Sequence, residues 1–276
     1  MPYDPITEDP PLVDRGFPAT MAELTFDSHG AALNAVLLIA QGPGPHPTVL
    51  LLHGFPGNER NFDLGQVLRR AGWNVMVFHY RGNWGSEGDY AFGHVLEDVQ
   101  AALSHLRSEA WRHEYRVDGE RVVVIGHSLG GFAALKVAAD DAAVRAVGSI
   151  SGCDMAVLAR DSRQECGEMM ESLCCEALPR LHGTTAQRLI DELLANEAEW
   201  NLANLAAQLA DRKLLLVAAA RDEALPLEEH HTPLLEALQA AGAEDVTTVV
   251  LDTDHCYADR RVALARTVWA WLQSAD

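Results

Sequence analysis

The residues with the clearest chemical potential lie in Gly126-His-Ser-Leu-Gly130, between the apolar run at 121–125 and a helix-forming stretch that begins at Gly131. A strand, a sharp turn and a helix in that order would raise the Ser128 hydroxyl above a sheet, while the two glycines let both backbones approach closely. A serine hydroxyl is a weak nucleophile at neutral pH, so a histidine must take its proton and an acid must hold that histidine in one tautomer. His255 follows the late apolar run at 246–251 and is read as the base. Asp222 follows the run at 214–220 and is read as the acid, with Asp154 in reserve. Asp254 is expected to point away from the reacting groups. The negative charge that develops during attack needs two N–H donors, and these are assigned to Leu129 and to Phe55 in His53-Gly-Phe-Pro-Gly57. His53 is read as structural.

The elements that would position these groups show as short apolar runs at 48–52, 74–78, 122–125, 144–150, 214–217 and 246–251, the pattern of strands buried on both faces. Helical spacing fills most of the gaps, at 62–71, 95–106, 129–139 and 227–241, so the expected fold is α/β, with a mostly parallel sheet and helices on both sides. Residues 21–26 and 33–39 flank Asp27-Ser-His-Gly30 as a β-hairpin. One connection stands out. Between Ser151 and Arg212 no convincing strand occurs, and helical spacing at 185–196 and 198–210 suggests an insertion over the sheet's C-terminal edge. Residues 1–151 and 212–276 are then the core, 1–20 an N-terminal arm, and 152–211 a lid.

The order Ser128, Asp222, His255, together with the two glycine motifs, resembles the α/β-hydrolase superfamily over nearly the whole chain. Tyr80-Arg-Gly-Asn-Trp-Gly-Ser-Glu-Gly88 is similar to a loop of the prolyl-oligopeptidase-like and small serine esterase branches. The resemblance implies an eight-stranded sheet, an active site beneath the insertion, and neither metal nor organic cofactor. The stretch before residue 48 is too short for the β-propeller of a full prolyl oligopeptidase. A haloalkane dehalogenase is disfavoured, because its nucleophile would be an aspartate where Ser128 stands. The expected activity is hydrolysis of carboxylic esters of small to medium acyl or alcohol groups. An amidase or aminopeptidase, a thioesterase, and a non-catalytic ligand-binding homologue are the alternatives. Tyr80, Arg81 and Trp84 are candidate pocket residues, although Arg81 in such a loop also suits an internal ion pair.

Composition narrows the partners. Asp and Glu outnumber Lys and Arg by 40 to 21, and the formal charge of −19 repels nucleic acid and anionic membrane surfaces. Cys153, Cys166, Cys174, Cys175 and Cys256 lack metal-type spacing and read as free thiols. The N-terminus lacks an apolar leader, and no run is long enough to cross a bilayer, so a cytoplasmic protein is the expectation. The arm or the insertion could support a homo-oligomer. His230 and His231 read as solvated residues of a surface helix, and Cys256 as a bystander beside His255. Met169, Met170 and Leu173 have the spacing of an apolar lid face.

Overall fold

The computed structural model describes residues 3–12, 14–164 and 172–274. Eight strands, β1 (Thr20–Ser28), β2 (Ala31–Ile39), β3 (His46–Leu52), β4 (Asn74–Phe78), β5 (Val117–His127), β6 (Ala146–Ile150), β7 (Lys213–Ala219) and β8 (Val246–Leu251), form one sheet in the order β1-β2-β4-β3-β5-β6-β7-β8. Strand β2 is antiparallel to both β1 and β4, and every other pairing is parallel. The β1–β2 hairpin turns on His29 and Gly30, at φ 52° and 83°. Two successive positive φ values give the turn whose twist matches that of paired strands.

The main helices are α1 (Phe62–Arg70), α2 (Phe92–Arg107), α3 (Glu109–Glu114), α4 (Leu129–Asp140), α5 (Met155–Gln164), α6 (Ala186–Asn196), α7 (Ala206–Leu209), α8 (Leu227–His230), α9 (Thr232–Ala240) and α10 (Arg261–Gln273). Central strands are apolar without interruption because each side-chain alternation meets a helix layer. In β3, Leu50 and Leu52 join a core that contains Val95, Val99, Phe132 and Leu135 of α2 and α4. Val49 and Leu51 point the other way, into a core with Leu64 and Leu68 of α1 and Val268 and Leu272 of α10.

Several boundaries differ from the sequence reading. Strand β6 begins at Ala146, since Val144 closes a turn by donating its N–H to the Asp141 carbonyl (3.0 Å). Strand β8 is not buried on both faces. It is the sheet's edge, with Thr247, Thr248 and Val250 exposed. The helix expected over 227–241 breaks at His231 and restarts with Pro233 in the first turn of α9, the one place where a residue without an N–H costs no helical hydrogen bond. Residues 198–210 form a turn, a 3-10 turn at Leu202–Leu205 and the short α7 rather than one helix. The connection from β6 to β7 adds no strand to the sheet among its described residues.

That connection is joined to the core at identifiable points. Ala91 provides no side-chain cap for α2, and Glu192 of α6 does so instead. Its two carboxylate oxygens accept the N–H groups of Phe92 and Gly93, each at 2.8 Å. A carboxylate on a helix N-terminus meets both unpaired donors and the positive end of the helix dipole. Nearby, the His182 N–H donates to the Gly82 carbonyl (2.7 Å) and the Tyr90 N–H to the His182 carbonyl (2.9 Å). No helix among the described residues is long and apolar enough to cross a membrane.

Candidate active site

Ser128 occupies the junction of β5 and α4 at φ 57° and ψ −121°. A non-glycine residue there carries strain of about 1–3 kcal/mol, which persists only where its surroundings enforce it. Here they do. The Ser128 N–H donates to the Ile150 carbonyl (2.9 Å), and its own carbonyl accepts from Gly131 (2.9 Å) and Cys153 (3.1 Å). The motif's glycines are steric necessities: a Cβ on Gly126 would lie 1.9 Å from the Gly130 oxygen, and one on Gly130 would lie 2.5 Å from the Leu52 oxygen. The same close packing brings the Phe55 loop onto the serine, since a Cβ on Gly54 would stand 2.8 Å from the Ser128 Cβ.

Asp222 follows β7 and His255 follows β8, and adjacent parallel strands deliver both to the same sheet edge. The His255 Nδ1–H donates to Asp222 Oδ2 at 2.7 Å, while Asp222 Oδ1 accepts the N–H groups of Ala224 (3.1 Å) and Leu225 (2.8 Å). Burial works to raise the Asp222 pKa, but the hydrogen bond and charge of His255 and the neighbouring donors outweigh it and hold the carboxyl below its ordinary range. With Nδ1 committed to the carboxylate, Nε2 is the ring nitrogen left for proton transfer.

Ser128, Leu129, Phe55 and His255 line one cavity of about 520 Å³. Its apolar walls come from Phe92, Met155, Leu158, Leu193 and Leu225, residues of the core and of the 152–211 connection together. Leu129 is the first residue of α4, so its N–H has no partner within the helix.

Tyr80, Arg81 and Trp84 do not line this cavity, a correction to the sequence reading. Arg81 is buried in an ion pair with Asp98 (Nε to Oδ1, 2.6 Å) and also contacts Glu97. The Tyr80 hydroxyl donates to the His53 carbonyl (2.9 Å), and the Trp84 Nε1–H and the Asn83 amide both donate to the Pro56 carbonyl (3.0 and 2.9 Å). The 80–88 loop therefore braces the Phe55 loop from behind. A rigid framework needs such partners, because a turn built from glycine and proline has few contacts of its own.

The remaining candidates take structural places. Asp154 accepts N–H groups of Ala156 (2.9 Å) and Leu202 (3.3 Å), at the start of α5. Asp254 is exposed and caps a turn through Ala258 (2.8 Å). The His53 Nδ1–H donates to the Gly54 carbonyl (2.7 Å), and burial pushes its pKa down to about 3. His230 is not solvated, as its position in a Glu-rich helix had implied. It is buried, with its Nδ1 accepting the Asp154 N–H at 3.0 Å and its pKa pushed down to about 4 by that burial. Cys153 is buried in the cavity wall, where desolvation raises its thiol pKa, while Cys175 and Cys256 are exposed and free. Cys166, Met169 and Met170 lie outside the described residues. No group of side chains arranged to hold a metal ion occurs among the described residues.

Two supporting residues escaped the sequence reading. His127, inside the glycine motif, is buried beneath His255, with ring centroids 4.7 Å apart. Its Nε2–H donates to the His255 carbonyl (2.9 Å), and burial lowers its pKa to about 4. Tyr257 is fully buried, and its hydroxyl is 2.9 Å from the Ser151 hydroxyl, behind Asp222. The position of His127 beside Ser128 is a usable signal, because successive strand residues face opposite sides of the sheet. Tyr257 offered none.

A strained serine at a strand–helix turn, lining one cavity with a carboxylate-bound histidine at the C-terminal edge of a mostly parallel sheet, is an α/β-hydrolase arrangement. A profile described as the alpha/beta hydrolase family matches residues 49–267, and the chain belongs to that family and is a hydrolase. Among curated relatives, an esterase of Escherichia coli K12, YjfP, is 28% identical over 220 residues, covering 76% of this chain and 82% of that protein. Among solved structures, Est1E from Butyrivibrio proteoclasticus aligns with a TM-score of 0.67 at 17% identity, covering 91% of this chain and 98% of that one. The Pyrococcus horikoshii acylaminoacyl peptidase also aligns with a TM-score of 0.67 at 17% identity, over 91% of this chain but only 40% of its own. At such identities the structural matches speak to fold alone.

Proposed function

We propose that the protein hydrolyses carboxylic esters through an acyl-enzyme, with Ser128 as nucleophile, His255 as general base and acid, and Asp222 as the group that orients His255. The observation that carries this reading is the 2.7 Å Asp222–His255 hydrogen bond at the mouth of the cavity that Ser128 also lines. Ser128 Oγ attacks the ester carbonyl as its proton passes to His255 Nε2, and Asp222 stabilises the imidazolium so formed. The N–H groups of Phe55 and Leu129 receive the charge on the carbonyl oxygen. Collapse breaks the ester C–O bond and the alcohol leaves with the proton from Nε2. Water then gives a proton to His255 and attacks the acyl carbon, and Ser128 is regenerated with release of the acid. Residues 152–211 serve as the lid, supplying Met155, Leu158 and Leu193 to the apolar wall that takes a small to medium chain. The relationship to an E. coli esterase supports ester cleavage over amide cleavage.

Turnover of p-nitrophenyl esters from acetyl to octanoyl by the protein and by Ser128→Ala tests this. The reading expects an optimum at intermediate length and a loss of about 10⁵-fold or more in the variant. Equal activity in both would remove Ser128 as nucleophile. Absence of turnover in the parent, with no labelling of Ser128 by a phosphonylating probe, would remove the esterase reading.

A further inference from the structure

The cavity holds one feature that ester hydrolysis does not require. Asp161, on α5, lines the cavity with Leu158 one turn before it on the same helix, and Ser172 is the other polar residue of the connection in that lining. It is half-buried, and among the described residues its carboxylate has neither an ion pair nor a hydrogen-bond donor. The neighbouring cations are otherwise placed: Arg163 is engaged by Glu197 at 2.5 Å, and Arg160 is exposed. Burial, and then the charges of Asp154, Asp222 and Asp161, push up the pKa of the Cys153 thiol in the cavity wall. A carboxylate partly withdrawn from water carries a desolvation cost, and a cation seated against it recovers that cost.

We infer that this cavity selects esters carrying a cationic nitrogen on an otherwise apolar chain, with Asp161 as the residue that receives the ammonium group. This rests on the ester-hydrolase reading of the same site and names its substrate class. Three observations converge on it. The walls offer apolar surface for a chain, Asp161 offers a single negative charge, and no cationic side chain lines the cavity among the described residues. The protein's charge of −19 works in the same direction, raising the local concentration of cations and lowering that of anionic esters.

The test uses pairs of esters that differ by charge but not by shape. Choline butyrate is compared with 3,3-dimethylbutyl butyrate for the alcohol side, and p-nitrophenyl 4-(trimethylammonio)butanoate with p-nitrophenyl 5,5-dimethylhexanoate for the acyl side. In at least one pair, the cationic ester should have a kcat/KM about tenfold above its neutral isostere, the size of a partly solvated charge contact. Asp161→Asn should bring that ratio close to one, and Asp161→Lys should invert it. Glu244→Gln, which removes an exposed charge near the opposite end of the sheet, should leave it in place. Ratios near one in both pairs for the parent protein would overturn the inference while leaving the esterase reading intact. So would a preference that Asp161→Asn retains and that vanishes at 0.5 M salt, because the global field would then be its source. If none of the four esters is turned over and Ser128 resists the phosphonylating probe, both readings fall.

Discussion

The two walls of the cavity are built on different principles. On the core side, Ser128, Leu129, Phe55, Asp222 and His255 stand at the ends of strands and are held mainly by backbone. Ser128 is pinned through its own N–H and carbonyl, Asp222 accepts two loop N–H groups, and Gly54, Gly126 and Gly130 allow approaches that any Cβ would block. On the other side, Met155, Leu158, Asp161 and Leu193 are side chains projecting from α5 and α6. Those helices join the core through side chains, with Met155, Ala159, Leu189 and Leu193 packed into it and Glu192 capping the first turn of α2. Groups that must be aligned to within fractions of an ångström are fixed by the part of the chain common to all residues. Groups that need only shape and charge are left to side chains, which can be exchanged without moving the frame.

That contrast can be broken from either side, and the largest effect belongs to the core. Asp222→Asn keeps the shape of the acid but presents the wrong partner to His255 Nδ1, and should lower kcat by about 10⁴-fold with little change in KM. Stopped-flow acylation rates would show it, and a loss below tenfold would mean that the 2.7 Å contact does not orient the base. Next in size is the pair Gly126→Ala and Leu193→Ala. The first forces a Cβ to within 1.9 Å of the Gly130 oxygen and should cost about 3 kcal/mol or more, together with nearly all activity. The second removes a buried side chain from the α6 wall and should cost about 2–3 kcal/mol while moving the ester optimum toward longer acyl chains. Urea unfolding and the p-nitrophenyl series read both. An unchanged chain-length optimum in Leu193→Ala would separate α6 from substrate selection.

A further contrast lies in pH. His127 and His230 have folded pKa values near 4 and His53 near 3, all held down by burial and all below the 6.5 of an unfolded histidine. The unfolded chain therefore binds protons first as pH falls. Stability is fully present above about pH 6.5 and declines toward pH 4, by about 1.4 kcal/mol per pH unit for each histidine kept neutral. Asp222 adds to this at still lower pH, because its folded pKa is depressed and its contribution is lost as pH falls through that value. Urea midpoints between pH 7.5 and 5 would show the slope, and His230→Gln should make it shallower. A flat profile would mean that these rings accept protons without unfolding.

Local pattern carried the turn at Ser128, the strand–helix alternation and the positions of Asp222 and His255 after successive strands, because parallel strands put every strand-to-helix loop at the same edge of the sheet. Those features depend on periodicity and on glycine sterics, which act over a few residues. The 80–88 loop misled for the opposite reason. Its residues are chemically apt for a pocket, yet Tyr80 and Trp84 turn their polar ends to the His53 and Pro56 carbonyls, and Arg81 turns to Asp98. His230 misled in the same way, because a Glu-rich helix gives no sign that one of its residues packs under Asp154. By itself the sequence determined the fold class, the glycine-flanked turn at Ser128 and the order of the candidate triad, all written in short-range spacing. Only the tertiary structure decided which side chains close the cavity and where Asp161 falls in its wall. Those contacts join residues far apart in the chain, whose directions are set by packing and not by neighbours in sequence.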